Sequence, residues 1–246
     1  MVSKRTAREQ RVFTPHPLQA GAPIACDAGQ RNYLVNVLRL GEGATVLVFN
    51  GVDGEWRAAL RIVSKKAAAL EPLEQVRAQT GGPDITLLFA PLKRDRLDYV
   101  VQKATELGVR AIQPVVTTYT QAQRLKHERL VANVVEAAEQ CGVLRLPEMR
   151  QVAPLREVVR ALDGRHRLIF CDEGAAVTNP VAALADVALP ATVLIGPEGG
   201  FSPEERDWLA TRPGTTVLSL GPRILRADTA VVAALTLLNA TAGDWH

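Results

Sequence analysis

The sequence of 246 residues has few cysteines, no long hydrophobic run and no metal-binding motif. Its three cysteines, Cys26, Cys141 and Cys171, are far apart and odd in number, and none belongs to a C-x-x-C pair. Such spacing predicts neither disulfide bonds nor a zinc site, and the four histidines form no H-E-x-x-H pattern. We therefore expect a protein of the reducing cytoplasm without a bound metal.

Segments that would direct the chain to a membrane are also missing. Residues 1–10 are polar and basic and lack the apolar stretch of a signal peptide. The longest apolar runs are much shorter than the roughly 20 residues that cross a bilayer. We expect a cytoplasmic protein with no membrane contact.

Two widespread nucleotide-binding motifs are absent as well. No glycine-rich stretch is followed by Lys-Ser or Lys-Thr, as a phosphate-binding loop requires. No G-x-G-x-x-G fingerprint of a dinucleotide-binding fold is present. The chain fits neither of these enzyme classes.

The apolar content of 47% is ample for a core, and the length suits one large or two small domains. In residues 1–77, short apolar runs and the turn dipeptides Asn50-Gly51 and Asp53-Gly54 predict a small β-barrel, with a short helix over residues 33–40. Residues 78–83 contain Gly-Gly-Pro and predict a linker. From residue 84 to 246, strand-like and helical patterns alternate, with strands predicted at 85–90, 111–116 and 167–171. This alternation predicts an α/β domain with a parallel sheet.

Positive charge is concentrated in the first half of the chain. Residues 1–130 carry 19 Lys and Arg against 12 Asp and Glu, a net charge of 19 − 12 = +7. Residues 131–246 carry 10 against 14, a net charge of 10 − 14 = −4. This asymmetry is compatible with a basic face that meets a polyanion and equally with ordinary solvated surface charge.

Two glycine-bearing loops lie in the last quarter of the chain. Residues 193–195 form an apolar run that breaks at Gly196-Pro197, and residues 217–220 form another that breaks at Gly221-Pro222. Each run predicts a buried strand that leads through its loop into a helix. Two strand ends side by side at one edge of a parallel sheet form a crevice, the usual ligand position in open α/β folds.

The first loop also carries a helix start signal. Ser202 and Glu205 have the spacing of a capping box, with Pro203 at the first helical position. Taken alone, either loop is compatible with an ordinary strand-to-helix turn.

Together the two loops read Gly-Pro-Glu-Gly-Gly-Phe-Ser at 196–202 and Leu-Gly-Pro-Arg-Ile-Leu-Arg-Ala-Asp-Thr-Ala at 220–230. This pair resembles the SPOUT methyltransferases. It is most similar to the bacterial 16S ribosomal RNA (uracil-N3)-methyltransferases, the ribosomal RNA small subunit methyltransferase E family. Further similar stretches are Arg11-x-Phe13 and residues 36–40, 93–96, 102–109 and 136–142.

The resemblance implies a fold that periodicity alone does not predict. It implies a small PUA-like RNA-binding β-barrel followed by a SPOUT α/β domain with a C-terminal trefoil knot. It also implies S-adenosylmethionine as methyl donor, and a homodimer whose substrate site includes residues of both subunits. The implied substrate is a uridine in the decoding region of 16S rRNA, within an assembled small ribosomal subunit.

The two loops and the strand around Phe170 are then expected to surround the cofactor, since glycine-rich turns expose backbone groups next to an apolar slot. The alternative for the apolar members of this set is a role in the core. The cofactor-binding candidates are Leu194, Ile195, Gly196, Gly200, Leu220, Gly221, Ile224 and Leu225.

Methylation of uracil N3 needs a cation or N–H donor that faces the negative charge on the neighbouring carbonyl oxygens. Arg226 is the candidate for this role, with Arg223 assisting it or contacting phosphate. The alternative for each arginine is a salt bridge to Glu198 or Asp228. Glu106 and Glu198 are weak candidates for the general base.

RNA contacts are expected from basic side chains, because Lys and Arg neutralise phosphates. Recognition of one base would need an unstacked, splayed-out uridine. The candidates are Arg11, Arg39, Lys65, Lys66, Lys93, Arg94 and Arg96.

The chain departs from the family pattern at three places. Asn32 replaces a frequent histidine, Val143 replaces an arginine, and Thr118-Tyr119 stand where another arginine is expected. The resemblance implies that arginines at the last two positions contact RNA or the partner subunit, so we expect some of these contacts to be rearranged in this chain. Two other functions stay open: a SPOUT enzyme for another RNA, such as a ribose 2′-O-methyltransferase, and a non-catalytic RNA-binding or assembly factor.

Overall fold

The computed structural model describes residues 9–121, 125–176 and 178–245. The chain forms two compact units. The first contains the residues up to Gly81 together with Glu139–Arg145, and the second contains Gly82–Ala138 and the residues from Leu146 onward. The sequence predicted a linker at 78–83 but not the return of 139–145 to the first unit.

The first unit is built on a five-stranded sheet in the order β1-β3-β4-β5-β2. β1 runs parallel to β3, and the other neighbours are antiparallel. The strands are β1 (Arg11–Phe13), β2 (Ile24–Ala25), β3 (Thr45–Phe49), β4 (Glu55–Ser64) and β5 (Ala67–Arg77).

A short helical segment joins β2 to β3. The helix α1 (Ala28–Arg31) begins at Asp27, whose side chain caps it reciprocally with Gln30, and a π-helical turn (Asn32–Val37) follows. The sequence predicted a helix over residues 33–40, so the helix begins earlier and ends earlier than expected. Leu34 is its buried contact with the core.

Arg11 is part of the interior of this unit. Its side chain is 2% exposed, and its Nε donates to Glu55 at 2.5 Å. The guanidinium also lies 4.2 Å from the ring centre of Phe49 and donates to the carbonyl oxygens of Glu139 and Val143. The RNA contact expected of Arg11 is therefore wrong for this structure, because a buried, paired guanidinium offers no surface to phosphate. It fastens the segment 139–145 to the sheet.

The second unit contains a parallel sheet in the order β12-β10-β11-β6-β7-β8, with β9 paired to β7. The predicted strands at 111–116 and 167–171 agree with the structure residue by residue. The strands are β6 (Ile85–Phe89), β7 (Ala111–Val116), β8 (Glu148–Met149), β9 (Ala153–Pro154), β10 (Arg167–Cys171), β11 (Ala191–Ile195) and β12 (Thr215–Leu218).

Helices cover both faces of this sheet, so its central strands β6 and β11 are buried on both sides, as their continuous apolar runs predicted. Residues of α2, α3, α5 and α7 pack on one face, and residues of α4 and α6 pack on the other. The helices are α2 (Arg94–Glu106), α3 (His127–Cys141), α4 (Leu155–Ala161), α5 (Pro180–Leu184), α6 (Pro203–Thr211) and α7 (Ala227–Thr241).

The strands that end in the two glycine loops are β11 and β12, and they are not neighbours. β10 lies between them and pairs with both in parallel register. The predicted side-by-side arrangement is therefore wrong in one respect. Because all three strands run in the same direction, their carboxyl ends still open at one edge of the sheet.

Candidate functional site

A cleft of about 460 Å³ lies at the carboxyl ends of β10, β11 and β12. Most of its lining comes from three segments: residues 171–173 at the end of β10, residues 195–201 at the end of β11, and residues 218–227 at the end of β12. Arg206 of α6 and Ala230 of α7 complete it. The volume is within the range of roughly 300–1,000 Å³ that small-molecule sites occupy.

The loop after β11 is held at its far end by a helix cap. The Ser202 hydroxyl accepts from the Glu205 N–H at 3.2 Å, and the Glu205 carboxylate accepts from the Ser202 N–H at 3.1 Å. Pro203 occupies the first turn of α6. The predicted capping box is confirmed, and both of its side chains are buried.

The same loop is held at its near end by an aromatic contact. A methyl group at Gly196 would come within 2.5 Å of the Phe201 ring, so only glycine fits there without a shift. Phe201 in turn meets Phe170 edge to face, with ring centres 5.0 Å apart. Gly200 has a φ of +71°, a conformation that side chains disfavour. This wall of the cleft is therefore closely packed.

The loop after β12 is open by comparison. Gly221 has a φ of +103°, and a methyl group there would meet no atom within 4 Å. Ile224 is 82% exposed although it is a large aliphatic side chain on the cleft wall. Burial of this side chain by a bound ligand would be favourable.

Arg223 and Arg226 belong to this second loop, and both are exposed and line the cleft. Within the described residues neither guanidinium forms an ion pair, and Glu198 pairs with Arg96 at 3.4 Å instead. The alternative interpretation, a salt bridge of either arginine to Glu198 or Asp228, is therefore wrong for the described part. Both positive charges are available to a ligand.

Seven of the eight predicted cofactor residues line the cleft. They are Ile195, Gly196, Gly200, Leu220, Gly221, Ile224 and Leu225. Leu194 does not, because its side chain points to the opposite face of β11 and is fully buried with Phe170 and Leu168. Alternation along a strand explains this difference: neighbouring residues face opposite sides of the sheet.

Three charged residues of the cleft were not predicted: Asp172, Glu173 and Arg206. Arg206 of α6 donates to the Asp172 carboxylate at 2.9 Å and so joins the end of β10 to the cap of the first loop. The sequence does contain a signal for the first two, since they are polar residues directly after the buried strand 167–171. Such positions face the crevice in parallel sheets.

Cys171 also lines the cleft, at the end of β10. Loss of solvent around the thiol raises its pKa to about 12. A protonated thiol is a weak nucleophile, so Cys171 serves as a neutral wall of the cleft at physiological pH.

Glu106 lies far from this site. It ends α2, a helix of 13 residues whose length is roughly 20 Å, and it pairs with Lys103 at 2.7 Å. The start of α2 is the end near the cleft, because Arg96 there reaches Glu198. The candidate role of Glu106 as general base is therefore wrong for this structure.

The remaining basic candidates lie in both units. In the first unit Arg39, Lys65 and Lys66 are exposed, and the Lys65 carbonyl oxygen accepts from Arg31 at 2.7 Å, which joins the β4–β5 turn to the helical segment. In the second unit Lys93 is exposed before α2, one turn from the Arg96–Glu198 pair. The side chain of Arg94 lies outside the described residues.

The sequence also predicts that the protein has no membrane segment and no metal site. Within residues 9–121, 125–176 and 178–245, no helix is long and apolar enough to cross a membrane. In the same ranges no group of three or more His, Cys, Asp and Glu side chains is arranged to hold a metal ion.

Comparison with known proteins gives two family matches. The RNA methyltransferase domain family matches residues 80–239, and the RNA methyltransferase PUA domain family matches residues 27–73. The first match alone covers more than half of the chain. The two matches divide the chain much as its fold does.

Individual relatives agree with these matches. The ribosomal RNA small subunit methyltransferase E of Rickettsia conorii is 30% identical over 206 residues, which cover 83% of this chain and 84% of that protein. The methyltransferase Lpg2936 of Legionella pneumophila, solved with bound SAM, is 32% identical with a TM-score of 0.85, over 96% of this chain and 99% of that one.

A third relative is the ribosomal RNA small subunit methyltransferase E of Neisseria gonorrhoeae, solved bound to S-adenosyl methionine. It is 28% identical with a TM-score of 0.87, over 97% of this chain and all of that one. The α/β fold with a parallel sheet and a preceding PUA domain is thereby confirmed. The chain belongs to the ribosomal RNA small subunit methyltransferase E family.

Proposed function

We propose that this protein transfers a methyl group from S-adenosylmethionine to N3 of one uridine in the decoding region of 16S rRNA. Membership of the family supports an RNA methyltransferase of the small ribosomal subunit. The observation that carries the finer proposal is the cleft at the ends of β10 to β12, whose open wall holds two arginines that form no ion pair with any described residue. The N3 product and its position in the RNA are the finer part of the proposal.

The residues of the cleft fit this cofactor. Ile195, Leu220 and Leu225 supply an apolar surface for an adenine ring, and the glycine turns bring backbone groups close to it. Glu173 and Glu198 place negative charge beside a ligand whose sulfonium is positive. S-adenosylmethionine supplies an activated methyl group for in-line displacement. Relatives with this cofactor bound are the Legionella and Neisseria proteins described above.

The arginines suit the chemistry of the acceptor. N3 of uracil must lose its proton before or during methylation, and negative charge then spreads to the two adjacent carbonyl oxygens. Arg226 precedes the first turn of α7 on the cleft wall and stabilises this charge. Arg223 assists it or binds a phosphate. Of the two candidate general bases, Glu106 and Glu198, it is Glu198 that lies on the cleft wall.

Recognition of the RNA uses the basic residues of both units. Lys93, Arg94 and Arg96 precede or begin α2 near the cleft, and Arg39, Lys65 and Lys66 are their counterparts on the PUA-like unit. Contacts of this kind position the protein on phosphate and make affinity fall with rising salt.

Three further features belong to the same proposal: action in the cytoplasm, a homodimer whose second subunit completes the substrate site, and a C-terminal trefoil knot. Their support is the sequence resemblance to SPOUT methyltransferases. The open loop after β12 agrees with a site that a second chain completes, since Ile224 is uncovered there.

The test is methyl transfer from radiolabelled S-adenosylmethionine to small ribosomal subunits from a strain that lacks this protein, followed by nucleoside mass analysis. The expected result is 3-methyluridine at one site, with naked 16S RNA a poorer acceptor. A 2′-O-methylated product, or labelling of another RNA only, would overturn the proposed substrate. If calorimetry detects no cofactor binding, the enzyme proposal fails and a non-catalytic RNA-binding factor takes its place.

A further inference from the structure

The tyrosine at position 119 lies beside the cleft without a role in the mechanism above. It belongs to a four-residue turn after β7 (residues 117–120), and its side chain is 49% exposed. A methyl group at Gly199 would lie 3.6 Å from Cβ of Tyr119, which is ordinary van der Waals contact. Cβ of Tyr119 therefore adjoins Gly199, a residue of the cleft wall.

This turn is fixed in place by hydrogen bonds. The Thr117 N–H donates to Thr120 Oγ1 at 2.9 Å, and the Thr120 N–H donates to the Thr117 carbonyl at 3.2 Å. The Thr118 N–H donates to Glu205 Oε1 at 2.9 Å. Glu205 is buried and also caps α6, so one carboxylate holds both the glycine loop and the tyrosine turn. An exposed ring on such a fixed backbone is pre-organised for a ligand.

The position of Tyr119 differs from that of the other exposed aromatic side chains in the described ranges. Tyr33 is in the PUA-like unit, Tyr99 is on the second turn of α2, and Trp245 follows the far end of α7. Of these four rings only Tyr119 adjoins a loop of the cleft wall. A half-exposed aromatic side chain beside such a site suits a flat, unstacked base, because aromatic side chains and bases stack.

We propose that Tyr119 is the stacking surface for the target uracil and so determines how well the RNA base is held at the cleft. This inference rests on the proposed function, since it assigns a residue to the acceptor side of the same site. Residues 195–201 line the cofactor cleft, whereas Tyr119 is not among its described lining residues and adjoins it at Gly199. The ring therefore acts on RNA binding and not on cofactor binding.

The experiment compares Tyr119→Ala, Tyr119→Phe and Tyr119→Leu in methyl transfer to small subunits. Loss of one base–aromatic stack corresponds to an increase in KM for the subunit on the order of 10-fold for Ala and Leu. Phe keeps the ring and is expected to stay within about twofold of wild type. The Kd for S-adenosylmethionine and the Tm are expected to be unchanged in all three. Tyr99→Ala removes a similarly exposed tyrosine and serves as the matched control.

Three results would overturn this assignment. One is an unchanged KM in Tyr119→Ala, which leaves the proposed function intact if wild type still makes 3-methyluridine. Another is full activity in Tyr119→Leu, which would show that the side chain only packs against the loop. The third is a change in oligomeric state of Tyr119→Ala by sedimentation, which would make the ring a contact between subunits. If wild type methylates no uridine, the proposed function and this inference fail together.

Discussion

The loops after β11 and β12 have similar sequences, since both begin with Gly-Pro, but their surroundings differ. The first is packed: Gly196 lies against Phe201, and the Glu205 carboxylate accepts from the N–H groups of Ser202 and Thr118. The second is open, with Ile224 82% exposed and two arginines that lack ion pairs in the described part of the chain. The first loop thus supplies a fixed wall, and the second supplies groups that a ligand can use.

The largest expected effect comes from the open loop. Arg226→Ala should lower kcat about 10²–10³-fold, the usual cost of removing one donor that faces a developing oxyanion. The Tm and the Kd for S-adenosylmethionine should change little, because this side chain is exposed and makes no ion pair in the described residues. Methyl transfer at saturating substrate measures kcat, and calorimetry measures the Tm and the Kd.

The matched control for that variant is Arg165→Ala, an exposed arginine in the turn before β10, at the opposite end of the strand from the cleft. Its kcat should equal that of wild type. Near-wild-type turnover of Arg226→Ala with cofactor binding intact would contradict the catalytic assignment and remove the functional difference between the loops.

A substitution in the packed loop should lower the free energy of unfolding. Gly196→Ala places a methyl group 2.5 Å from the Phe201 ring, and such overpacking costs about 1–3 kcal/mol in the free energy of unfolding. Replacing Phe201 with Leu removes the ring atoms involved, so the double variant Gly196→Ala/Phe201→Leu should lose less than the sum of the single variants. Urea denaturation of the four proteins gives the coupling energy.

Gly221→Ala is the control for this cycle. A methyl group there meets no atom within 4 Å, so its cost is backbone strain at a φ of +103° and should add to that of Phe201→Leu without coupling. Equal coupling energies for Gly196 and Gly221 would show that the two loops are packed alike, contrary to the structure.

The smallest expected effect concerns Cys171, on the strand between the loops. Burial raises the pKa of its thiol from the ordinary value of 9.0 to about 12, so alkylation should be slow at pH 8 and accelerate as the pH approaches 12. Between pH 9 and pH 12 the thiol is ionised in the unfolded chain but protonated in the folded one. The free energy of unfolding therefore falls as the pH rises through this range. Peptide mass spectrometry after iodoacetamide treatment measures the rate. Rapid alkylation of the folded protein at pH 8 would show that the strand end is open to solvent.

Much of the second unit could be predicted because its signals are local. The runs at 111–116 and 167–171 are apolar and bounded by polar or turn residues, and Ser202, Pro203 and Glu205 form a helix start within four residues. Seven of the predicted cofactor residues line the cleft because they lie next to the glycines that end β11 and β12. The prediction for Leu194 was wrong, because membership of a motif does not determine which face of a strand a residue occupies.

Charged residues were predicted less well than glycines. Arg11 matched a family stretch, yet its guanidinium lies inside the first unit with Glu55 and Phe49. Glu106 also lay in a matching stretch, but the length of α2 carries it away from the cleft. The partner of a charged side chain can be distant in sequence, as Glu55 is from Arg11, and its place in the fold is then not encoded locally.

The sequence by itself determined the two-part organisation, the parallel α/β pattern, the two glycine breaks and the family, because each depends on residues close together in the chain. The tertiary structure decided the rest. It placed β10 between the two loop-bearing strands, brought Asp172 and Arg206 into the cleft, buried Arg11 and fixed Tyr119 against Gly199. Each of these depends on strand order or on contacts between distant residues, which no local pattern encodes.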